Sequence, residues 1–298
     1  MPALRLLAAQ LAIGAAAIFA RFALAGAGPV AVSALRLVIA AAVALAVARG
    51  FARLSMRREL AFALAGLALA IHFAAWIGSL LFTSVALSTL LVTTTPIWTE
   101  VYAVIRERRP PTRAYAIALV LALAGVALIA FAHAAVPAPV PGHALLGDAL
   151  ALGGSFAIGA YLLIVRDAGV ESGAGPAQRL ATRQVVARTY GWAAVALVAA
   201  SFAMREGAPA ITDGSAWAGI LAMALVSQAL GHTALNAALR DFTPSAIALT
   251  TLLEPLIAAV LAALVFHETL SWEAALGGAC VLIATGVTLR AHVPQTSS

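Results

Sequence analysis

His72, Trp76 and Ser79 stand four and three residues apart, and Gln228, His232 and Asn236 stand four apart. On a helix, each trio shares one face. Two imidazoles, two amides and an indole brought together could hold the head of a zwitterion and stack on its side chain. The same residue types also tie buried helices together by hydrogen bonds. A second group surrounds Pro96: Thr94, Thr95, Trp98 and Tyr102. Pro96 lacks the helix donor and can free a carbonyl for a ligand. An interfacial aromatic belt is the rival role; it suits Tyr102 better than Trp98, which sits deeper in its apolar run. Ser155, Gly159 and Tyr161 form a third group, in which Ser155 and Gly159 share a face, as Gln10 and Gly14 do earlier in the chain. Close helix packing accounts for the glycines equally well.

Four charged residues fall inside or beside apolar runs: Glu254, Glu100, Arg36 and Arg188. Ionisable groups in such runs are costly and usually face an interior. Each could carry a proton, grip a carboxylate or ammonium, or close a structural ion pair. Gly14, Pro96, Gly159 and Pro255 are the expected bending and gating positions. Covalent chemistry finds less support. Ser155 with His72 or His232 could be imagined as a Ser–His pair, but the chain has no Gly-x-Ser-x-Gly elbow. It also has no His-Glu-x-x-His motif and no Gly-rich phosphate loop. Cys280 is the one cysteine, so neither an intrachain disulfide nor a cysteine metal site is expected. No catalytic residue, metal or cofactor is called for.

The elements that carry these residues are apolar helices. Hydrophobic residues make up 63% of the 298 positions and charged ones 10%, and the mean hydropathy is +1.01. A soluble domain carries about a quarter charged residues. Helices dominated by Ala and Leu, each about 20 residues long, can instead cross a bilayer. The runs predict ten spans, at 6–24, 30–48, 60–80, 84–105, 114–132, 144–165, 183–203, 215–236, 244–266 and 272–290. Arg5 followed by an apolar run mimics a signal peptide, and is read as a retained first span. The net charge of +6 comes from arginine alone. Arginines cluster between spans two and three (Arg49, Arg53, Arg57, Arg58), four and five (Arg106, Arg108, Arg109, Arg113), and six and seven (Arg166, Arg179, Arg183). Arg240, Arg5 and Arg290 join them on one face when the spans number ten, and Arg205 stands alone opposite. This pattern orients both termini to the cytoplasm, and makes a nucleic-acid partner unnecessary.

The halves echo each other. His72, Phe82-Thr83 and Ala86 recur as His232, Phe242-Thr243 and Ala246 at a constant offset of 160. Thr95-Pro96 recurs, one residue out of step, as Glu254-Pro255, and Glu107 and Gly125 match Glu268 and Gly286. Five helices per half would invert the second half against the first, and inverted repeats expose one midplane site to either side in turn. The expected repeats are residues 1–135 and 143–292, joined by the proline-bearing stretch from Ala134 to His143.

These features resemble the drug/metabolite transporter superfamily, specifically its ten-helix EamA-type members. The resemblance rests on Thr-Ser-Val-Ala-Leu, Thr-Pro96 and Arg-Glu107-Arg in the first half. In the second it rests on Thr-Pro-Ser-Ala-Ile-Ala, Glu254-Pro255, His-Glu268-Thr-Leu-Ser-Trp and Gly286-Val. It is finest with bacterial amino-acid exporters, the aromatic ones included. It implies an all-α protein of the bacterial inner membrane, acting on a small-molecule substrate among membrane lipids, as a monomer or weak homodimer. The family's bending glycines and prolines carry over to Gly14, Gly28, Pro29, Gly78, Pro96, Gly159, Pro176 and Pro255. Arg183, Gln184 and Arg188 depart from the pattern, since the corresponding second span holds only Arg36. A multidrug or other metabolite exporter of the same fold is the alternative within the family.

Overall fold

The computed structural model describes residues 2–48, 50–83, 85–132, 143–169, 180–266 and 272–292. Arg49, Arg179, Pro176, Glu268 and the stretch from Ala134 to Pro141 lie outside them, and so does the expected joint between the halves. The described residues are helical, with no strand among them. In chain order the helices are α1 (Pro2–Gly14), α2 (Ala16–Ala23), α3 (Pro29–Ala48), α4 (Met56–Ser79), α5 (Val85–Val92), α6 (Thr95–Arg106) and α7 (Arg113–Ala132). Then follow α8 (Ala144–Ala168), α9 (Thr182–Met204), α10 (Gly214–Ala222), α11 (Thr233–Ala238), α12 (Pro244–Thr250), α13 (Glu254–Phe266) and α14 (Trp272–His292). A π-helical segment, Met223–His232, joins α10 to α11, and a 3₁₀ turn, Thr251–Leu253, joins α12 to α13.

Among the described residues, nine helical stretches are long and apolar enough to cross a membrane, rather than the ten expected. The difference is the expected fourth span. It breaks at Thr93 and Thr94 into α5, of 8 residues, and α6, of 12. At about 1.5 Å per residue neither reaches the ~30 Å of a hydrocarbon core. The cause is local. Pro96 has no N–H for the carbonyl of Val92, and the Thr95 hydroxyl takes that carbonyl instead at 3.1 Å. Thr94 and Thr93 likewise donate to the carbonyls of Leu91 (2.7 Å) and Thr89 (2.8 Å). Three hydroxyls thus close the end of α5, and proline opens α6 in the first turn, where its missing donor costs little. The second half repeats the device: Thr250 and Thr251 donate to Ile247 and Ala248, each at 2.7 Å, just before Glu254-Pro255.

Helix starts follow ordinary capping. The side chain of Thr243 accepts from Ala246 N before Pro244 opens α12. Asp213 caps α10; the backbone N–H of Ala216, with help from the Ser215 hydroxyl, holds its carboxyl below the usual carboxylate range. The N-terminus of α3 is capped from a distance. Arg205 ends α9 with a left-handed φ of 58°, which swings Glu206 across so that its carboxylate accepts from Val30 N and Ala31 N, both at 2.8 Å. Those N–H groups have no partner within α3, and a negative charge suits that end of the helix dipole. Glu206→Ala should lower stability by about 1 kcal/mol, read as a lower melting temperature that Glu206→Gln partly restores.

α4 packs on α8, α3 on α9, α7 on α14, and α1–α2 on α10–α11 with the π segment between. Gly66 admits α9, since a Cβ there would meet Trp192 and the Thr189 carbonyl within 2.9 Å. Outward surfaces stay apolar, as at Ile117, Val120, Leu282 and Ile283, which suits lipid rather than water. One face gathers the arginine-bearing loops. Arg58 donates to the Ala168 carbonyl, Arg240 to that of Leu180, Arg166 pairs with Glu107, and Arg188 pairs with Glu59.

Candidate functional site

Both helix breaks open onto one central cavity of about 530 Å³, its mouth included. From the first break come Val92, Thr93 and Thr95, and from the second Thr251 and Glu254. α3 contributes Arg36, α4 contributes His72, Phe73 and Trp76, and the π segment contributes His232. Ile13, Ile158, Leu162 and Leu235 supply apolar wall.

The polar groups are held from behind. His72 places Nδ1 2.9 Å from the Gly154 carbonyl. A carbonyl only accepts, so Nδ1 carries the proton. The His72 and Trp76 rings lie nearly parallel, with centroids 6.4 Å apart. The Phe73 ring stands edge-on to His232 at 5.3 Å, and its face supports the Arg36 guanidinium 3.9 Å from its centre. Arg36 is fully buried and its Nε donates to Gln228 Oε1 at 3.0 Å. No ion pair within 4.0 Å joins Arg36 to Glu254.

Of the predicted residues, Arg36, His72, Trp76, Thr95, His232 and Glu254 therefore meet at the cavity. Gln228 stands directly behind it. The others lie elsewhere. The Ser79 hydroxyl donates to the Trp76 carbonyl (2.7 Å) and bonds Ser88 (2.6 Å), at the end of α4. Trp98 donates its indole N–H to Ser155 at 3.1 Å, and Thr94 and Thr95 bond the same hydroxyl. That bond occupies the atoms Ser155 would need as a nucleophile. Tyr161 donates to Asn236 Oδ1 at 2.8 Å, and Asn236 Nδ2 donates to the His232 carbonyl at 2.8 Å. Asn236 lines a second, smaller hollow toward the arginine-rich face, with Arg166 and Arg240.

Two stretches of the chain, residues 1–131 and 145–290, match the model of the EamA-like transporter family. The chain belongs to that family. A solved crystal structure resembles it at 16% identity with a TM-score of 0.77, covering 98% of this chain and 97% of that one, which shows a shared fold. No curated protein matches. This EamA-like transporter is accordingly a multi-pass membrane protein that handles small molecules, and not an enzyme.

The remaining predicted residues fall outside the transporter's cavity. Tyr102 lies near Arg166, whose guanidinium is 5.8 Å from its ring centre. Arg188 pairs with Glu59 at 3.1 Å, donates to the Ala52 carbonyl at 2.6 Å and covers the Phe51 ring, all at the arginine-rich face. Glu100 is buried on α6 with one carboxylate oxygen lacking a partner. Gly14 admits α13, since a Cβ there would stand 2.8 Å from Ile257, whereas Gly159 merely touches Trp98 at 3.4 Å. Pro96 and Pro255 open helices instead of bending them, and the carbonyl that Pro96 frees is taken by Thr95. Sequence reasoning missed Phe73, Thr93 and Thr251 at the cavity. The threonines carried a signal, as runs of Thr shortly before a proline within apolar stretches; Phe73 carried none, being one apolar residue among many.

Proposed function

We propose that the chain is a secondary transporter exporting amino acids or related small metabolites across a bacterial inner membrane by alternating access. Aromatic and other large neutral amino acids are the favoured cargo. The observation that carries this reading is the meeting of both helix breaks at one cavity whose polar groups come from both halves of the chain. In this reading α5 and α6 together make one broken span, giving ten in two inverted repeats of five with both termini cytoplasmic.

The packing supports the repeat. Let the spans be numbered with α5–α6 as the fourth. The pair of spans three and six (α4 on α8) becomes the pair eight and one when each span is exchanged for its counterpart, and spans two with seven and five with ten map onto themselves. The family match in two stretches fits the same division. Leu162 and Leu235 line the central cavity and Asn236, bonded to Tyr161, lines the hollow on the arginine-rich side, so we read these residues as a partition between the two. In the proposed cycle that partition and the Glu206 clasp on α3 open alternately.

Trp76→Ala and His232→Ala should each cut counterflow of the cargo in proteoliposomes by about tenfold or more, the loss of roughly one good buried contact, with Trp76→Phe, which keeps most of the buried ring, separating lost transport from lost packing. Normal counterflow in both variants would remove the cavity from the transport path. Uptake by a panel of amino acids, nucleosides and cationic drugs, with and without an imposed pH gradient, tests cargo and coupling together.

A further inference from the structure

Arg36 is paired on one side only. Its Nε is used by Gln228 and its ring-facing side by Phe73, yet Nη1 and Nη2 are buried without an acceptor. These two groups carry four N–H donors. Arg36 itself can only donate, so the Gln228 oxygen must face it and the Gln228 amide nitrogen is the free end. That nitrogen, too, is buried without a partner. The indole N–H of Trp76 and Nδ1 of His232 are also buried without a partner, and both residues line the cavity with Arg36.

A buried donor left open costs about 1–3 kcal/mol, and a charged one more. Water in the cavity could satisfy the N–H bonds, but it cannot balance the guanidinium charge. Supported over the Phe73 ring, the guanidinium carries its two free amino groups as a planar fork, the shape that binds a carboxylate through two parallel bonds. Glu254 lines the same cavity without closing an ion pair to Arg36. The two opposite charges are thus held apart, as they must be if each meets its complement on a bound molecule. An ionised Glu254 would also disfavour a dianion such as a phosphate ester. Ile13, Ile158, Leu162 and Leu235 leave the rest of the space apolar.

We propose that Arg36, held in place by Gln228, seats the carboxylate of the transported molecule, and that Glu254 receives its ammonium group. The cargo is then an α-amino acid with an apolar or aromatic side chain, and its free carboxylate is obligatory. This rests on the cavity being the transport site.

The test compares phenylalanine and leucine with their amides, and with 3-phenylpropanoate and phenethylamine. Equilibrium binding to the detergent-purified protein is measured by calorimetry, and counterflow in proteoliposomes separately. Wild type should bind the two amino acids about tenfold or more tighter than their amides, the worth of one charge-assisted hydrogen bond. 3-Phenylpropanoate should outbind phenethylamine. Arg36→Gln should erase both preferences. Gln228→Glu keeps the side-chain shape and pairs Arg36 internally, so it should fold and erase the preferences as well. Either variant folding and retaining the tenfold preference would overturn the proposal. So would chloride displacing every probe alike, which marks an inorganic-anion seat. Arg36-dependent carboxylate binding without counterflow would sink the transporter reading and leave the seat standing; counterflow blind to the carboxylate would do the reverse.

Discussion

Gly277→Val is expected to destabilise the protein more than any other single change on the α7–α14 contact, by about 3 kcal/mol or more. A Cβ at Gly277 would stand 2.4 Å from the Gly125 carbonyl oxygen, and one at Gly125 would stand 2.5 Å from that of Gly277. Each glycine therefore leaves room for the other's backbone. Neither neighbour is a flexible side-chain end that could swing aside, so even alanine must push the helices apart, and valine must push further. Lipid makes this worse. Apolar helices in a bilayer gain little from leaving lipid for each other, and their association rests on close packing. Gly286 supplies the control, because a Cβ there meets nothing within 4 Å. Gly286→Ala should keep or slightly raise the melting temperature through better helix propensity. If Gly277→Val and Gly286→Ala melt alike in detergent, the two backbones are not in close contact.

The second large effect is expected at Glu254. Its side chain is partly exposed to the cavity at the first residue of α13, where the chain restarts after the 3₁₀ turn. It is the acid that lines the cavity opposite the buried, half-paired Arg36. Glu254→Gln leaves the guanidinium charge uncompensated in a poorly polar setting, the circumstance in which removing one partner hurts most. Transport should fall well over tenfold, about the cost of one lost charge-assisted contact. Stability should fall too. Adding Arg36→Met should restore stability but not transport, with a coupling energy of about 1–3 kcal/mol in the double-mutant cycle. Additive losses, with no recovery in the double variant, would show that the two charges do not feel each other.

Much of this fold could be read from residue order. Apolar runs located nine of the helical stretches, because hydrophobic length alone decides what crosses a bilayer. Arginine clustering anticipated that Arg58, Arg166 and Arg240 would share one face, whereas Arg188, read as a charge inside an apolar run, joins them there. The site was legible only in part. His72, Trp76 and His232 could be found, since a polar group on an apolar helix is conspicuous. Which of two buried hydrogen-bonding groups faces a cavity is a matter of neighbours, and helical spacing does not supply neighbours. Trp98 and Ser155 bond each other, Arg188 finds Glu59, and Asn236 finds Tyr161. Pro96 announced an irregularity, yet not its form: the preceding threonine hydroxyls turned an anticipated bend into a full break.

The π segment from Met223 to His232 carries a consequence for motion. A π turn holds one more residue than an α turn, closing its bonds five residues back instead of four. Such an extra residue is a defect that can travel. Were it handed on toward α11, the stretch it passed over would screw about the axis by roughly 100°, while the helix on either side kept its place. Asn236, one turn beyond, would swing away from Tyr161 while Gln228 and His232 changed their aim, with no helix broken and no loop moved. A ten-residue π stretch would thus serve this helix as a ratchet, converting a local slip of register into rotation at the cavity wall.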